Sequence, residues 1–185
     1  GFPPVAASAS VHVAEIATSG LGGLAHWKAD NVDKQILKYL AFSGIAGAVL
    51  GAYVLTNIPG EILKPFIAIY LLIMGFLIIE KAFQKKPMII RMFLRIKDAL
   101  KMEHGEPWGR KLLPFGLLGG FLDSIGGGGW GPILTLTLFF KGENLRLAIG
   151  SVNLSEFFVT LAASIAFLAT LKLSYWQTIL GLMVG

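Results

Sequence analysis

Long apolar runs, broken by short polar clusters, organise this chain. From Phe2 to Ala25 the one charged residue is Glu15, with His12 one helical turn before it. A hydrocarbon core about 30 Å thick takes about 20 helical residues to cross, so the run predicts a membrane-spanning helix. A polar stretch from His26 to Lys34 follows. Tyr39 to Gly60 then gives 22 residues without a charge, and Asn57-Ile58-Pro59-Gly60 reads as a turn. A third span is expected from about Glu61 to Ile79, with Pro65 in its first turn, where a missing N–H matters little. Another runs from Leu145 to Leu171 with Glu156 inside it, and a further one begins near Leu173.

The segment between Lys111 and Lys141 fits none of these. It has 29 residues, interrupted by Gly126-Gly127-Gly128-Gly129. As one straight helix it would be about 44 Å long, too long for one crossing, while two full crossings need about 40 residues. Two half-helices meeting at the glycines fit, as a re-entrant hairpin or a broken helix.

Composition agrees with a membrane protein. Apolar residues make up 55% of the 185 positions and charged residues 15%, with a mean hydropathy of +0.70; a soluble domain carries about 25% charge. Disorder is excluded on the same ground. Without cysteine, disulfides, thiolate metal sites and cysteine nucleophiles fall away. The net charge of +5 is uneven: nine of the sixteen Lys and Arg lie between Lys81 and Lys111. One basic loop on a membrane protein explains this better than nucleic-acid binding does. Within it, Pro87 to Glu103 alternates apolar residues with Arg91, Arg95, Lys97 and Lys101, which predicts an amphipathic helix on the membrane surface. The positive-inside rule places residues 81–111 in the cytoplasm. The chain opens without Met and stops within an apolar run, and is read as part of a longer protein.

A shift of 141 residues aligns the start of the chain with its end. Ser10-Val-His-Val-Ala-Glu15 matches Ser151-Val-Asn-Leu-Ser-Glu156, both inside apolar spans. Overall there are seven identities in 44 positions, so the cluster carries the argument. Internal repeats are a common transporter architecture. The fold class expected is therefore an all-α integral membrane protein with a two-fold internal repeat and glycine-broken re-entrant or discontinuous helices. Residues 1–80 form the first repeat, lacking its first glycine-rich segment. Residues 81–110 form the cytoplasmic loop, and residues 111–185 the second repeat. If the 111–141 segment returns to the cytoplasm the halves are inverted; if it crosses they are parallel. Lys141 and Arg146 on one side, against Lys172 on the other, favour return.

Asp123-Ser-Ile-Gly-Gly-Gly-Gly-Trp-Gly-Pro132 is the sharpest local feature. It contains the spacing Gly-x-Gly-x-x-Gly, but no βαβ unit surrounds it, so a dinucleotide site is rejected. Consecutive glycines turn the chain sharply and leave backbone N–H groups bare. Pro132 sits early in the half-helix that follows, whose positive end faces the membrane interior. That is a place for a small anion, with Ser124, Gly126, Gly127, Gly128, Gly129 and Trp130 as candidate contacts. The alternative is close helix packing, as for Gly116-x-x-x-Gly120 and for Gly44, Gly47 and Gly51.

Glu15, Asp123 and Glu156 are the acids inside apolar segments. A charge at the bilayer centre costs at least about 2.5–3.5 kcal/mol, so each faces a cavity, pairs or stays protonated. They read as proton carriers with His12, or as neutral acids bonded to helix neighbours. Ser10, Ser151 and Asn153 can donate to anion oxygens, or act as glue between helices. His12 and Glu15 lie three residues apart, but the sequence offers no further clear ligands, so no metal site is expected. No cofactor is expected either. Trp27 and Trp176 read as interfacial anchors.

Together these residues resemble the TauE/SafE sulfite-exporter family of membrane permeases, over essentially the whole chain. The resemblance is sharpest in Asp123–Pro132, followed by Gly142, Ala148, Gly150, Ser151 and Glu156. Pro4, Ala7, Ser10 and the Gly44–Gly51 stretch support it. It implies two related halves of about four membrane segments each, a cytoplasmic central loop, and ion-driven movement of sulfite, sulfonates or similar anions across the cell membrane. The expected function is secondary transport of such an anion coupled to protons, with an anion channel or a non-transporting membrane subunit as alternatives. The expected partners are the small anion and the lipid bilayer, without nucleic acid; an oligomer is left open. An enzyme is not expected, since Ser124 has no histidine near it in sequence and three scattered histidines do not build a zinc site.

Overall fold

A computed structural model describes residues 3–83, 109–128, 130–140 and 142–170. Most of the basic loop with its amphipathic segment, the span expected from Leu173, Trp176 and Gly129 lie outside the described residues. Every regular element among them is helical: α1 (Pro4–Lys28), α2 (Lys34–Asn57), α3 (Gly60–Phe83), α4 (Leu113–Gly126) after a short 3₁₀ turn, α5 (Trp130–Phe140) and α6 (Leu145–Thr170).

The boundaries follow from local chemistry. Pro3 is extended and Pro4 opens α1 at a position that needs no N–H. Asp30, with φ at 53°, turns the chain after α1. Asp33 then caps α2, its carboxylate accepting from the N–H of Gln35 at 2.7 Å and of Ile36 at 2.9 Å. Asn144 starts α6 the same way, accepting from the Arg146 N–H at 2.9 Å. Pro65 is one departure from expectation. The Pro59 carbonyl already accepts from Ile62 and Leu63, so α3 begins at Gly60 and Pro65 lies in its second turn.

Side-chain contacts give the directions. Ser43 meets Gly116, Gly44 meets Gly120, and Gly51 meets Phe121 and Ser124, so α2 and α4 run parallel. Asp33 meets Ser151 and Gly44 meets Val159, so α6 runs the same way. Against α6, α1 is antiparallel: Gly23 touches Leu154, Gly20 touches Phe157 and Ser19 touches Thr160. After α5 the chain turns tightly into α6, and Gly131 at the start of α5 lies beside Glu156 within α6, so these two are also antiparallel. Hence α4 and α5 run in opposite directions and meet at the glycines as a hairpin.

Small residues set how closely this bundle packs. A Cβ on Gly47 would strike the Leu117 carbonyl, and one on Gly120 the Gly44 carbonyl. The α2–α4 seam is thus backbone against backbone, the arrangement small-residue stripes permit. Leu40, Leu112, Leu138, Val159 and Phe167 fill the interior. The outer surface is apolar as well: Phe42 is 75% exposed, Leu21 74% and Leu72 73%. Two of the described helices, α2 and α6, are long and apolar enough to cross a membrane.

Candidate functional site at the glycine break

Gly126 ends α4, and Gly127 (φ 74°) and Gly128 (φ 123°) take backbone shapes that a side chain disfavours. The N–H of Gly127 donates to the Asp123 carbonyl at 2.7 Å, and that of Gly128 at 3.3 Å. These two amides therefore cap α4, where bare donors were expected. The donors left for an anion are those of the first turn of α5. Tyr70 of α3 steadies the break by donating its hydroxyl to the Gly128 carbonyl at 3.2 Å, and its ring covers Gly126.

Polar side chains gather around this turn. Nε2 of His12 lies 3.4 Å from Oδ2 of Asp123, with both residues almost fully buried. Glu15 joins them: one ligand atom from each of the three lies within 4.8 Å of the others. A Cβ on Gly128 would stand 3.5 Å from Glu15 Oε1, and one on Gly131 would stand 3.6 Å from both Glu156 oxygens. The carboxyl of Glu15 thus sits at the glycine turn, and that of Glu156 at the N-terminal end of α5. Ser8 ties α1 to the end of α4, its hydroxyl donating to the Ser124 carbonyl at 2.5 Å. Ser124 Oγ, Asp123 Oδ1 and Glu15 Oε2 are buried and without a hydrogen-bond partner among the described residues.

The remaining expected residues lie elsewhere. Ser10 donates to the Ala6 carbonyl at 2.8 Å within its own helix, on a different face from His12. Ser151 accepts the Asp33 N–H at 2.8 Å, holding the α1–α2 turn on α6. The ring of Trp130 packs against Gly44 of α2 and Gly119 of α4. Asn153 faces Gly22 of α1 and lines a cavity of about 440 Å³ between α5 and α6, with Gly131, Thr135, Ile149 and Glu156. Trp27 lies at the α1–α2 turn beneath the Lys34 ammonium, 5.9 Å from its ring. Ser8 and Tyr70 were not anticipated. A hydroxyl inside an apolar span was the available signal for each, but serine hydroxyls mostly bond within their own helix.

Comparison with known proteins fits this geometry. The model of the sulfite exporter TauE/SafE family matches residues 1–185. The chain belongs to this family. It is 39% identical over 188 residues to the "Probable membrane transporter protein YtnM" of Bacillus subtilis (strain 168). The alignment covers the whole chain and 59% of that relative, so the chain spans about three-fifths of the relative's length. No solved structure matches. Family membership and the two long apolar helices support a membrane location.

Proposed function

We propose that the chain forms part of a secondary membrane transporter for small sulfur-containing anions, sulfite or sulfonates, coupled to protons. The observation that carries this reading is the position of Glu156. Its carboxyl stands at the N-terminal end of α5, where aligned peptide dipoles and free N–H groups favour negative charge. An ionised Glu156 repels an anion there. A protonated one removes that repulsion and offers an O–H donor. Anion and proton then bind as a pair, which is the physical content of coupling. Asn153 and Ser124 are the further donors, with Asp123, Glu15 and His12 sharing a second proton position on the other side of the break. Among the described residues no Lys or Arg joins this group, so dipoles and neutral donors do the holding and affinity is modest.

The α4–α5 hairpin is read as re-entrant from the cytoplasmic face, where the basic loop lies. Residues 1–80 and 111–185 are read as inverted repeats. Two features support that symmetry. Helices α1 and α6 are antiparallel, and Ser19 and Thr160, which the 141-residue shift makes equivalent, have hydroxyls 3.5 Å apart. Rocking of one half against the other would expose the site to each side in turn.

Flux of labelled sulfite and of a simple alkyl sulfonate into proteoliposomes tests the proposal, with and without an imposed pH gradient. Gradient-driven accumulation supports it. Flux indifferent to the gradient except through voltage would replace it with a channel, and silence across both anions would remove these substrates.

A further inference from the structure

His12, Glu15 and Asp123 offer more than proton positions. The neighbour of His12 fixes its tautomer. Nδ1 lies 2.8 Å from the Ser8 carbonyl oxygen, which can only accept. Nδ1 therefore carries the hydrogen, and in the neutral ring Nε2 presents a lone pair. That lone pair faces Asp123 Oδ2 at 3.4 Å. A direct charge-assisted hydrogen bond would close to about 2.7–2.9 Å. Two ligands each about 2.0–2.1 Å from a tetrahedral metal ion stand about 3.3–3.4 Å apart. The observed gap matches the second spacing.

Burial points the same way. His12 is 0% and Asp123 1% exposed, and Nε2, both Asp123 oxygens and Glu15 Oε2 have no hydrogen-bond partner among the described residues. These unpaired atoms belong to three residues that each bring a ligand atom within 4.8 Å of the others, a grouping inside an apolar bundle that suits a cation. The bond from Nδ1 to a backbone carbonyl is the outer support that orients metal-binding imidazoles. The negative end of α4 lies alongside.

We propose that His12 Nε2, Glu15 and Asp123 bind one divalent first-row transition-metal ion, clasping α1 to the end of α4 at the glycine break. An imidazole with two carboxylates suits zinc, cobalt or manganese better than the all-oxygen shells of calcium and magnesium. Two carboxylates balance the charge of the ion, and protons compete with it for the same lone pairs. The site itself is independent of the transport reading. Its consequence, that the bound ion stops the proton cycle, rests on that reading.

Zinc binding to the purified protein in detergent, with no anion and no gradient, tests the site by calorimetric titration. The expected result is one zinc ion per chain. Affinity falls at least tenfold in each of His12→Gln, Glu15→Gln and Asp123→Asn and stays in Glu156→Gln. Glu15→Asp, which keeps the charge and withdraws the carboxylate by one methylene, weakens binding too. Zinc binding that His12→Gln, Glu15→Gln, Asp123→Asn and Glu15→Asp all leave unchanged, or no saturable binding by protein whose circular dichroism is fully helical, overturns the proposal. Because no anion is present, failure of sulfite or sulfonate flux leaves this result standing, and the converse holds.

Discussion

Replacing Glu156 by glutamine separates charge repulsion from every other role of this side chain. A Cβ on Gly131 would stand 3.6 Å from both carboxylate oxygens, so an anion over the first turn of α5 lies roughly 5 Å from the Glu156 charge. At that separation, with an effective dielectric of about 20, repulsion between two unit charges is about 3 kcal/mol. That corresponds to about a hundredfold in affinity. An alkyl sulfonate keeps one negative charge across the working pH range, so any pH dependence of its binding belongs to the protein. On the proposed function, equilibrium binding of the labelled sulfonate by the wild type is expected to weaken about a hundredfold as pH rises and Glu156 ionises. In Glu156→Gln that hundredfold fall is expected to be lost. Uptake into proteoliposomes then continues down the sulfonate gradient, and a pH gradient no longer drives accumulation. A Glu156→Gln protein whose binding still falls with pH as in the wild type would refute the reasoning, because the repulsive charge would then lie elsewhere.

Four further substitutions test the packing. Gly120→Ala places a Cβ against the Gly44 carbonyl and should destabilise the bundle by about 1–3 kcal/mol. Gly75→Ala meets nothing within 4 Å and should be neutral or gain up to about 1 kcal/mol from helix propensity; thermal unfolding in detergent compares the two. Tyr70→Phe removes the hydroxyl that donates to the Gly128 carbonyl; a part-buried hydrogen bond of this kind is worth about 1 kcal/mol, so sulfonate affinity should fall several-fold with the pH response intact. Ser151→Ala removes an acceptor from the Asp33 N–H and should lower the unfolding temperature while leaving sulfonate affinity unchanged, which direct binding measures.

What the sequence made legible, and what it hid, differ by the kind of contact involved. Run length alone placed α1, α2 and α6 as long helices. The interval between Lys111 and Lys141 gave the broken segment by arithmetic, too long for one crossing and too short for two. Side-chain partners obey no such count. The 141-residue shift marks Ser10 and Ser151 as equivalent, but equivalence says nothing of which helix face each occupies, and both hydroxyls are spent on backbone groups away from the break. Glycine runs announce a turn without saying whether their amides stay bare; here Gly127 and Gly128 use theirs to close α4. The meeting of His12 with Asp123 was hidden more deeply. It requires α1 to lie against the end of α4, and the Ser8 hydroxyl on the Ser124 carbonyl makes that contact directly. The one signal in the sequence was that His12 and Glu15 share a helix face with nothing nearby to balance them. An acid at a glycine break, where a helix end brings backbone close to a neighbour, was the natural place to look for their third partner.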